Sequence, residues 1–303
     1  MARIILIFSL FFSHLFSDNI NYIEKYHDEL CNILINTSNS IDDYFVEGDS
    51  STQGSTTYAE LSTSVAMEVN KVLEKDLRLR LRLSLPKIQK NLRLILEDEN
   101  NDDSLYDRTS LNDEDLVDKS YYLRLEYLKF IKKQFNLALG VGLRIRNGNL
   151  VPYFNLRSRL DFYKGDKLRT SFYNRFRFYS DGESEEIAEL NIIYTFNSTF
   201  YAIFRNQLSY SNRDNYENIY HDISFIKELN QQKKVSVGVG IRSRSENVKK
   251  YGVNYYHVHT RYHHLFYKKW LYYQIAPSIL WREEHGFDLS YRLMLNFGIF
   301  FKK

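Results

Sequence analysis

The stretch KDLRLRLRLSLP, from Lys75 to Pro86, has a leucine at every second residue from Leu77 onward, with arginine or serine between the leucines. Successive side chains of a β-strand point to opposite faces, so this period of two predicts a strand with a leucine face and an arginine face. A helix would scatter both sets around its axis. Two surroundings suit such a strand. The arginines face water over a soluble sheet, or they line a wet interior while the leucines face lipid.

The same alternation recurs from residue 57 to the end of the chain and predicts fourteen strands, with twelve as the alternative. In FNLALGVGLRIR, which begins at Phe135, the large apolar residues share one face, and asparagine, glycine and arginine share the other. The predicted strands are about ten to thirteen residues long, which suits a bilayer crossing at about 45°. Strands of soluble proteins average about five or six residues.

Short and long connections alternate between the predicted strands. KGDK and NST are among the short ones, whereas SDGESEE and the acidic segment from Glu97 to Lys119 are among the long ones. This alternation is typical of bacterial outer-membrane barrels. A soluble β-sandwich would also show alternating strands. The long strands and their uncharged faces favour an all-β, antiparallel up-and-down transmembrane barrel.

The N-terminal residues differ from the rest of the chain. Residues 1–17 combine Arg3 with an apolar run, a pattern that predicts a secretory signal peptide cleaved after Ser17, with an anchor helix as the alternative. Residues 18–56 predict a short helix with Tyr26, Leu30 and Ile33 on one face, followed by a flexible linker. This segment is either a periplasmic tail or a plug in the barrel formed by residues 57–303.

Composition excludes some functions. A net charge of +3 is too small to suggest a polyanion partner, so we expect no nucleic-acid binding. The single cysteine, Cys31, cannot form an internal disulfide, which fits an exported protein. Tyrosine and phenylalanine are abundant near the strand ends, as in the aromatic girdles of membrane barrels.

The last predicted strand, LSYRLMLNFGIFF, alternates and ends in an aromatic residue at Phe301. In this it resembles the closing strand of bacterial outer-membrane β-barrels. The resemblance covers the chain from about residue 57 at the level of pattern and identifies no specific family. It implies a location in the bacterial outer membrane of a Gram-negative cell, and recognition by the barrel-assembly machinery.

In the predicted barrel, the arginines of the alternating strands face inward. The predicted pore-lining residues are Arg78, Arg80, Arg82, Arg144, Arg146, Arg157, Arg159, Arg175, Arg177, Arg242 and Arg244. Inward carboxylates are fewer, which predicts a positive wall that favours anions. The structural alternative is that arginine–carboxylate ladders brace the interior.

Three histidines, His257, His259 and His263, share one predicted strand face. The segment that contains them is the only part of the sequence that suggests a metal site. Arg261 on the same face opposes a cation, and no neighbouring carboxylate completes the set, although another strand could supply one. We therefore predict polar lining there, with no metal and no cofactor. No G-x-S-x-G signature is present, so we do not expect an enzyme.

The sequence thus predicts a porin-like channel for small hydrophilic solutes, in contact with outer-membrane lipid and lipopolysaccharide. The alternatives are a plugged barrel that acts as a structural or adhesion protein, a hydrophobic-solute transporter and, less favoured, an outer-membrane lipid hydrolase. The acidic segment between Glu97 and Lys119 is expected to be a solvated loop, with cation-mediated contact to lipopolysaccharide as a further hypothesis.

Overall fold

Fourteen antiparallel strands close into one barrel in the computed structural model of the chain. The model describes residues 20–45, 57–69, 71–85, 92–98, 121–131, 134–146, 148–212, 216–246 and 250–302. The strands are β1 (Tyr58–Glu68), β2 (Glu74–Ser84), β3 (Leu92–Asp98), β4 (Tyr121–Ile131), β5 (Phe135–Arg146), β6 (Asn149–Lys164), β7 (Leu168–Tyr179), β8 (Ser184–Asn197), β9 (Phe200–Ser211), β10 (Tyr216–Glu228), β11 (Lys233–Glu246), β12 (Lys250–Tyr267), β13 (Leu271–Arg282) and β14 (Leu289–Phe301). A helix, α1 (Ile20–Phe45), precedes them, and a short 3-10 helix (Glu283–His285) precedes β14.

Each strand pairs with its sequence neighbours, and β1 pairs with β14 to close the sheet. The closing register runs from Ala59 opposite Phe301 to Glu68 opposite Arg292. We call the end where β1 begins and β14 ends the near end, and the opposite end the far end. The closed antiparallel barrel of fourteen strands confirms the predicted fold class and strand number.

The two faces of the wall follow the predicted alternation. On β11, the side chains of Val237 and Val239 point outward and are 47% and 51% exposed, whereas those of Ser236 and Arg242 point inward and are buried. Apolar residues therefore cover the outside and polar residues fill the inside, the reverse of a soluble protein. An exposed apolar surface that runs around a closed sheet is the surface of a barrel that spans a membrane.

A few outward side chains are polar, and these bond to one another. Nδ1 of His221 lies 2.5 Å from Oδ1 of Asn206 on the neighbouring strand, and the Asn174 amide donates a hydrogen bond of 2.9 Å to the Glu186 carboxylate. Pairing within the wall satisfies groups that lipid cannot.

Helix α1 lies against the near end of the barrel. Nε2 of His27 donates a hydrogen bond of 2.9 Å to the carbonyl oxygen of Phe300, and the His27 ring stacks on Trp270 with 4.3 Å between ring centroids. Further along the helix, the Ser38 hydroxyl donates to the carbonyl oxygen of Ser84 at 2.6 Å. The helix therefore follows the rim past the ends of β14, β1 and β2.

The docked face of α1 differs from the apolar face that the sequence suggests for packing. Tyr26 and Ile33 are 62% and 57% exposed, while His27, Cys31 and Ser38 are buried. The rim of the barrel presents backbone carbonyl groups that need donors, so a polar helix face fits it better than an apolar one. No helix among the described residues is both long enough and apolar enough to cross a membrane.

The predicted signal peptide and the linker after the helix lie outside the described residues, as does most of the acidic segment between Glu97 and Lys119. The domain limits at residues 17 and 56 therefore stay predictions.

Docking of α1 should depend on Glu24. Its carboxylate lies 2.6 Å from Nζ of Lys268 and accepts a hydrogen bond from the Tyr267 hydroxyl. These two hydrogen bonds, with that of Lys268 the larger cause, lower the pKa of Glu24 from its ordinary value of 4.5. A lowered pKa means that the carboxylate stabilises docking at neutral pH, and that this contribution is lost as the pH falls through the lowered value.

We expect Glu24→Gln to raise the reaction rate of the buried Cys31 thiol with a pyridyl disulfide severalfold at neutral pH, because α1 then leaves the rim more often. The matched control is Glu29→Gln, since Glu29 is exposed and lies 3.9 Å from the exposed Lys25 on the same helix. Equal rates in both variants and the unchanged protein would contradict this role of Glu24.

The outward face should tolerate charge only near its edges. Val239 lies at the middle of β11, whereas Leu150 lies at the far end of β6 and is 62% exposed. We expect Val239→Arg to lower the free energy of unfolding by about 2–4 kcal/mol in lipid vesicles, and Leu150→Arg to lower it by about 0–1 kcal/mol. Denaturant unfolding measures both values. A surface in water would accept both arginines at no cost, so two neutral variants would exclude the membrane assignment.

Candidate functional site

The inner face of the barrel is the candidate functional site, and the predicted arginines lie on it. Arg80, Arg144, Arg175, Arg177 and Arg242 are buried. Arg78, Arg82, Arg157, Arg159 and Arg244 alternate with outward apolar residues and are partly exposed. The side chain of Arg146, at the end of β5, lies outside the described residues. That these side chains line a conducting path stays a prediction.

One cluster of tyrosines and arginines fills the far half of the barrel beside β4 to β8. The guanidinium of Arg177 lies over the Tyr122 ring at 3.9 Å, and that of Arg144 lies over the Tyr179 ring at 4.0 Å. The Tyr179 hydroxyl donates to the Glu185 carboxylate at 2.7 Å. A desolvated cation over an aromatic face gains about 2 kcal/mol, so these stacks hold the side chains in place.

Carboxylates complete this cluster at two levels. Arg144 contacts Glu183 at 2.7 Å at the far end, and Arg157 donates to Glu126 at 2.5 Å deeper in the barrel. Glu126 also lies 3.3 Å from Arg124, and neither side chain of that pair is exposed to solvent. The charges are therefore paired where water does not reach them, as the low dielectric of an interior requires.

A second cluster lies at the barrel seam and centres on Glu68. Arg282 donates to both carboxylate oxygens of Glu68, at 2.6 Å and 2.9 Å, and Arg292 adds a contact at 3.4 Å. Arg292 also donates to Glu74 at 3.0 Å. The two-point bond from Arg282 is the strong geometry for an arginine–carboxylate pair. The cluster as a whole joins the inner faces of β1, β13 and β14.

Positive charge nevertheless exceeds negative charge on the inner face. Among the described residues, ten arginines are buried, against six carboxylates. The buried carboxylates are Glu60, Glu68, Asp76, Glu126, Glu189 and Asp222. Buried arginines thus outnumber buried carboxylates on the inner face, although Arg144 and Arg292 also pair with the partly exposed Glu183 and Glu74.

A third cluster gathers two of the three predicted histidines around Asp222 of β10. Oδ2 of Asp222 lies 3.7 Å from Nε2 of His257 and 3.8 Å from Nδ1 of His259. The Ser224 hydroxyl donates to Oδ1 of Asp222 at 2.6 Å and lies 3.3 Å from Nε2 of His259. His263 lies apart, with its ring centroid 5.2 Å from that of Tyr272.

The carboxylate of this cluster comes from another strand, so the local pattern around the histidines does not identify it as Asp222. The signal was the pair of glycines on β11. Gly240 stands between Asp222 and His257 in the register, and Gly238 stands between Ser224 and His259. Two inward glycines leave no side chain between β10 and β12, so groups on those strands meet across β11.

Ser224, His259 and Asp222 include the residue types of a serine-hydrolase triad, but their hydrogen bonds differ from that arrangement. The Ser224 hydroxyl gives its proton to Asp222, not to a histidine that would act as a base. All three residues are buried on the inner face, away from the lipid outside. The geometry gives no activated nucleophile here.

The sequence matches no protein-family model, and no curated protein matches it either. Among solved structures, OprB of Pseudomonas putida is 9% identical, with a TM-score of 0.50 over 82% of this chain and 94% of that chain. An anion-selective porin from Comamonas acidovorans is 10% identical, with a TM-score of 0.47 over 82% of this chain and 99% of that chain. At identities this low, the similarity is evidence about the fold alone.

The closed fourteen-stranded sheet and its apolar outer surface are those of a bacterial outer-membrane β-barrel. This confirms the class and the location that the sequence predicts.

The Glu68 cluster should hold the seam together. We expect Glu68→Gln to lower the free energy of unfolding by about 3–5 kcal/mol, because Arg282 and Arg292 then lose a buried counter-charge. The control is Glu284→Gln, since Glu284 is 54% exposed and pairs with Lys71 at 2.8 Å. Surface pairs contribute about 0–1 kcal/mol. Denaturant unfolding in vesicles measures both, and equal losses would contradict a special role for the seam.

Proposed function

We propose that the protein is an outer-membrane channel that passes small hydrophilic solutes by diffusion and favours anions. The observation that supports this proposal is the excess of buried arginines over buried carboxylates on the inner face. A wall of positive charge lowers the energy barrier for anions and raises it for cations.

Side chains pack closely in the tyrosine–arginine cluster, where Tyr122 and Arg177 are fully buried. In the near half, the Arg159 side chain is 25% exposed. A pocket in the near half is lined by cationic and polar side chains that include Lys234, Arg261 and Gln274. This distribution fits small solutes and disfavours large ones.

A structural barrel without conduction is the second candidate. The observation that favours it is the same tight packing, because fully buried and paired arginines brace a wall without passing anything. Adhesion by the far-end loops would then be the function. Transport of a hydrophobic solute is a third candidate, favoured by the inward, buried Ile193, Ile203 and Ile226.

We further propose that outer-membrane lipid and lipopolysaccharide contact the apolar outer face, and that the barrel-assembly machinery recognises β14. The charge of +3 gives no reason to add a nucleic-acid partner.

Ion preference tests the channel. In planar bilayers under a salt gradient, we expect stable conductance steps and a reversal potential on the anion side. The double variant Arg80→Glu/Arg82→Glu should move that potential towards the cation side, because both arginines lie on the inner face of β2. The control is Lys75→Glu, which reverses a charge on the outer face of the same strand and should leave the potential unchanged.

Each result separates the candidates. A conducting double variant with an unshifted potential would assign Arg80 and Arg82 to bracing alone. A silent, correctly folded protein would exclude the channel and favour the structural barrel.

A further inference from the structure

The cluster around Asp222 has the composition of a transition-metal site. It brings one carboxylate and two imidazoles together at the middle of the wall, on the inner face of β10 and β12. The three donor atoms, Oδ2 of Asp222, Nε2 of His257 and Nδ1 of His259, all lie within 4.8 Å of one another. Two histidines and one carboxylate form a common ligand set for zinc and related divalent metals.

The distances are close to those that a metal requires. A tetrahedral zinc ion with bonds of about 2.0–2.1 Å holds its ligand atoms about 3.3 Å apart. Oδ2 of Asp222 lies 3.7 Å and 3.8 Å from the two imidazole nitrogens. A contraction of about 0.4 Å brings Oδ2 of Asp222 to that distance from each nitrogen, while the two imidazole nitrogens lie within 4.8 Å of each other.

The wall leaves space for both imidazole rings only because β11 has glycines there. A Cβ atom on Gly240 would lie 2.3 Å from Cε1 of His257, and one on Gly238 would lie 2.6 Å from Cε1 of His259. No side chain larger than hydrogen fits at either position while the rings stay in place.

Ser224 orients two of the donors. Its hydroxyl donates to Oδ1 of Asp222 and lies 3.3 Å from Nε2 of His259, which can donate to it in turn. This arrangement leaves Oδ2 of Asp222 and Nδ1 of His259 facing each other with their lone pairs. A hydrogen bond to the ring nitrogen that does not bind the metal sets the tautomer and the direction of a ligating histidine.

One of the two carboxylate oxygens of Asp222 has no hydrogen-bond donor among the described residues, although Ser224 donates to the other. Asp222 is 6% exposed, and within the described part of the chain its Oδ2 atom accepts no hydrogen bond. A buried oxygen of this kind costs about 1–3 kcal/mol unless a partner binds it. A cation between the three donors supplies that partner.

Two arginines oppose a dication at this position. Arg205 stands opposite Asp222 in the register, and Arg261 follows His259 on the same face of β12. The Tyr220 hydroxyl lies 3.4 Å from Nε2 of His257, and this contact would be lost when that nitrogen binds the metal. The negative charge of Asp222 is therefore essential for binding, and loss of that charge should be as damaging as loss of a histidine.

From this geometry we propose that Asp222, His257 and His259 bind one divalent transition-metal ion of the zinc type inside the barrel. Binding joins β10 to β12 across β11 and adds positive charge to the inner face at mid-depth. The proposal concerns the ligand set alone and holds whether or not the barrel conducts.

The experiment uses the purified full-length protein in detergent, with ZnCl₂ as the probe and a chromophoric chelator as competitor. We expect one zinc ion per chain. Asp222→Asn and His257→Gln should each weaken zinc binding at least about 100-fold. Loss of a residue that only hydrogen-bonds to a ligand costs less, about 10–100-fold. Calcium and magnesium, which prefer oxygen ligands, should not compete.

Two histidines provide matched controls. His263→Gln changes a histidine on the same strand and the same face, and His221→Gln changes the residue beside Asp222 on the outer face. Both should leave zinc binding unchanged. Wild-type protein that binds no zinc, or control variants that lose it equally, would overturn the proposal.

Folding must be separated from binding. Far-UV circular dichroism and heat-modifiable mobility on gels identify variants that form the barrel. Ser224→Ala keeps all three ligands and should weaken zinc binding about 10–100-fold. Bound Co²⁺ in the unchanged protein should show the visible absorption bands of a four- or five-coordinate site. A spectrum of six-coordinate aqueous cobalt would also overturn the proposal.

Discussion

The structure depends on one constraint, the pairing of every backbone N–H and C=O group within the wall. Lipid offers no partner for these groups, so an open edge would cost several kcal/mol for each one. The pairing of β1 with β14 removes the two edges that fourteen strands paired in sequence order would otherwise leave. Once the sheet is closed, each side chain faces either lipid or the interior. The alternation of side chains along each strand then determines which residues face lipid and which face the interior.

The interior must in turn accommodate the polar residues that closure places there. Arginine suits this task better than lysine, because its planar guanidinium stacks on rings and binds carboxylates at two points. Arg177 over Tyr122 uses the first property, and Arg282 with Glu68 uses the second. Bracing and charge therefore come from the same side chains. Every carboxylate that pairs an arginine firmly also reduces the positive field that a channel for anions would need.

Local pattern was enough to predict the fold, and register was needed to predict the site. Alternation in segments such as Leu77–Leu85 gave the strands, their faces and their number, because each depends on neighbouring residues alone. The partners of the inward side chains depend on strands far apart in sequence. Glu68 and Arg282 are 214 residues apart, and Asp222 reaches His257 only across Gly240. The docked face of α1 could not be predicted for the same reason, since the rim that it contacts is formed by strands at both ends of the barrel sequence.

The position of α1 relates to the same constraint. The seam between β14 and β1 joins the two ends of the barrel sequence, so it closes the longest loop and carries the largest entropic cost of any strand pair. The helix crosses this seam at the near end, with His27 bound to the Phe300 carbonyl of β14 and Ser38 bound to the Ser84 carbonyl of β2. Glu68 joins β1 to β13 and β14 nearer the far end. The most costly pairing in the fold is thus held at both of its ends, by a helix at the rim and by a buried charge cluster inside.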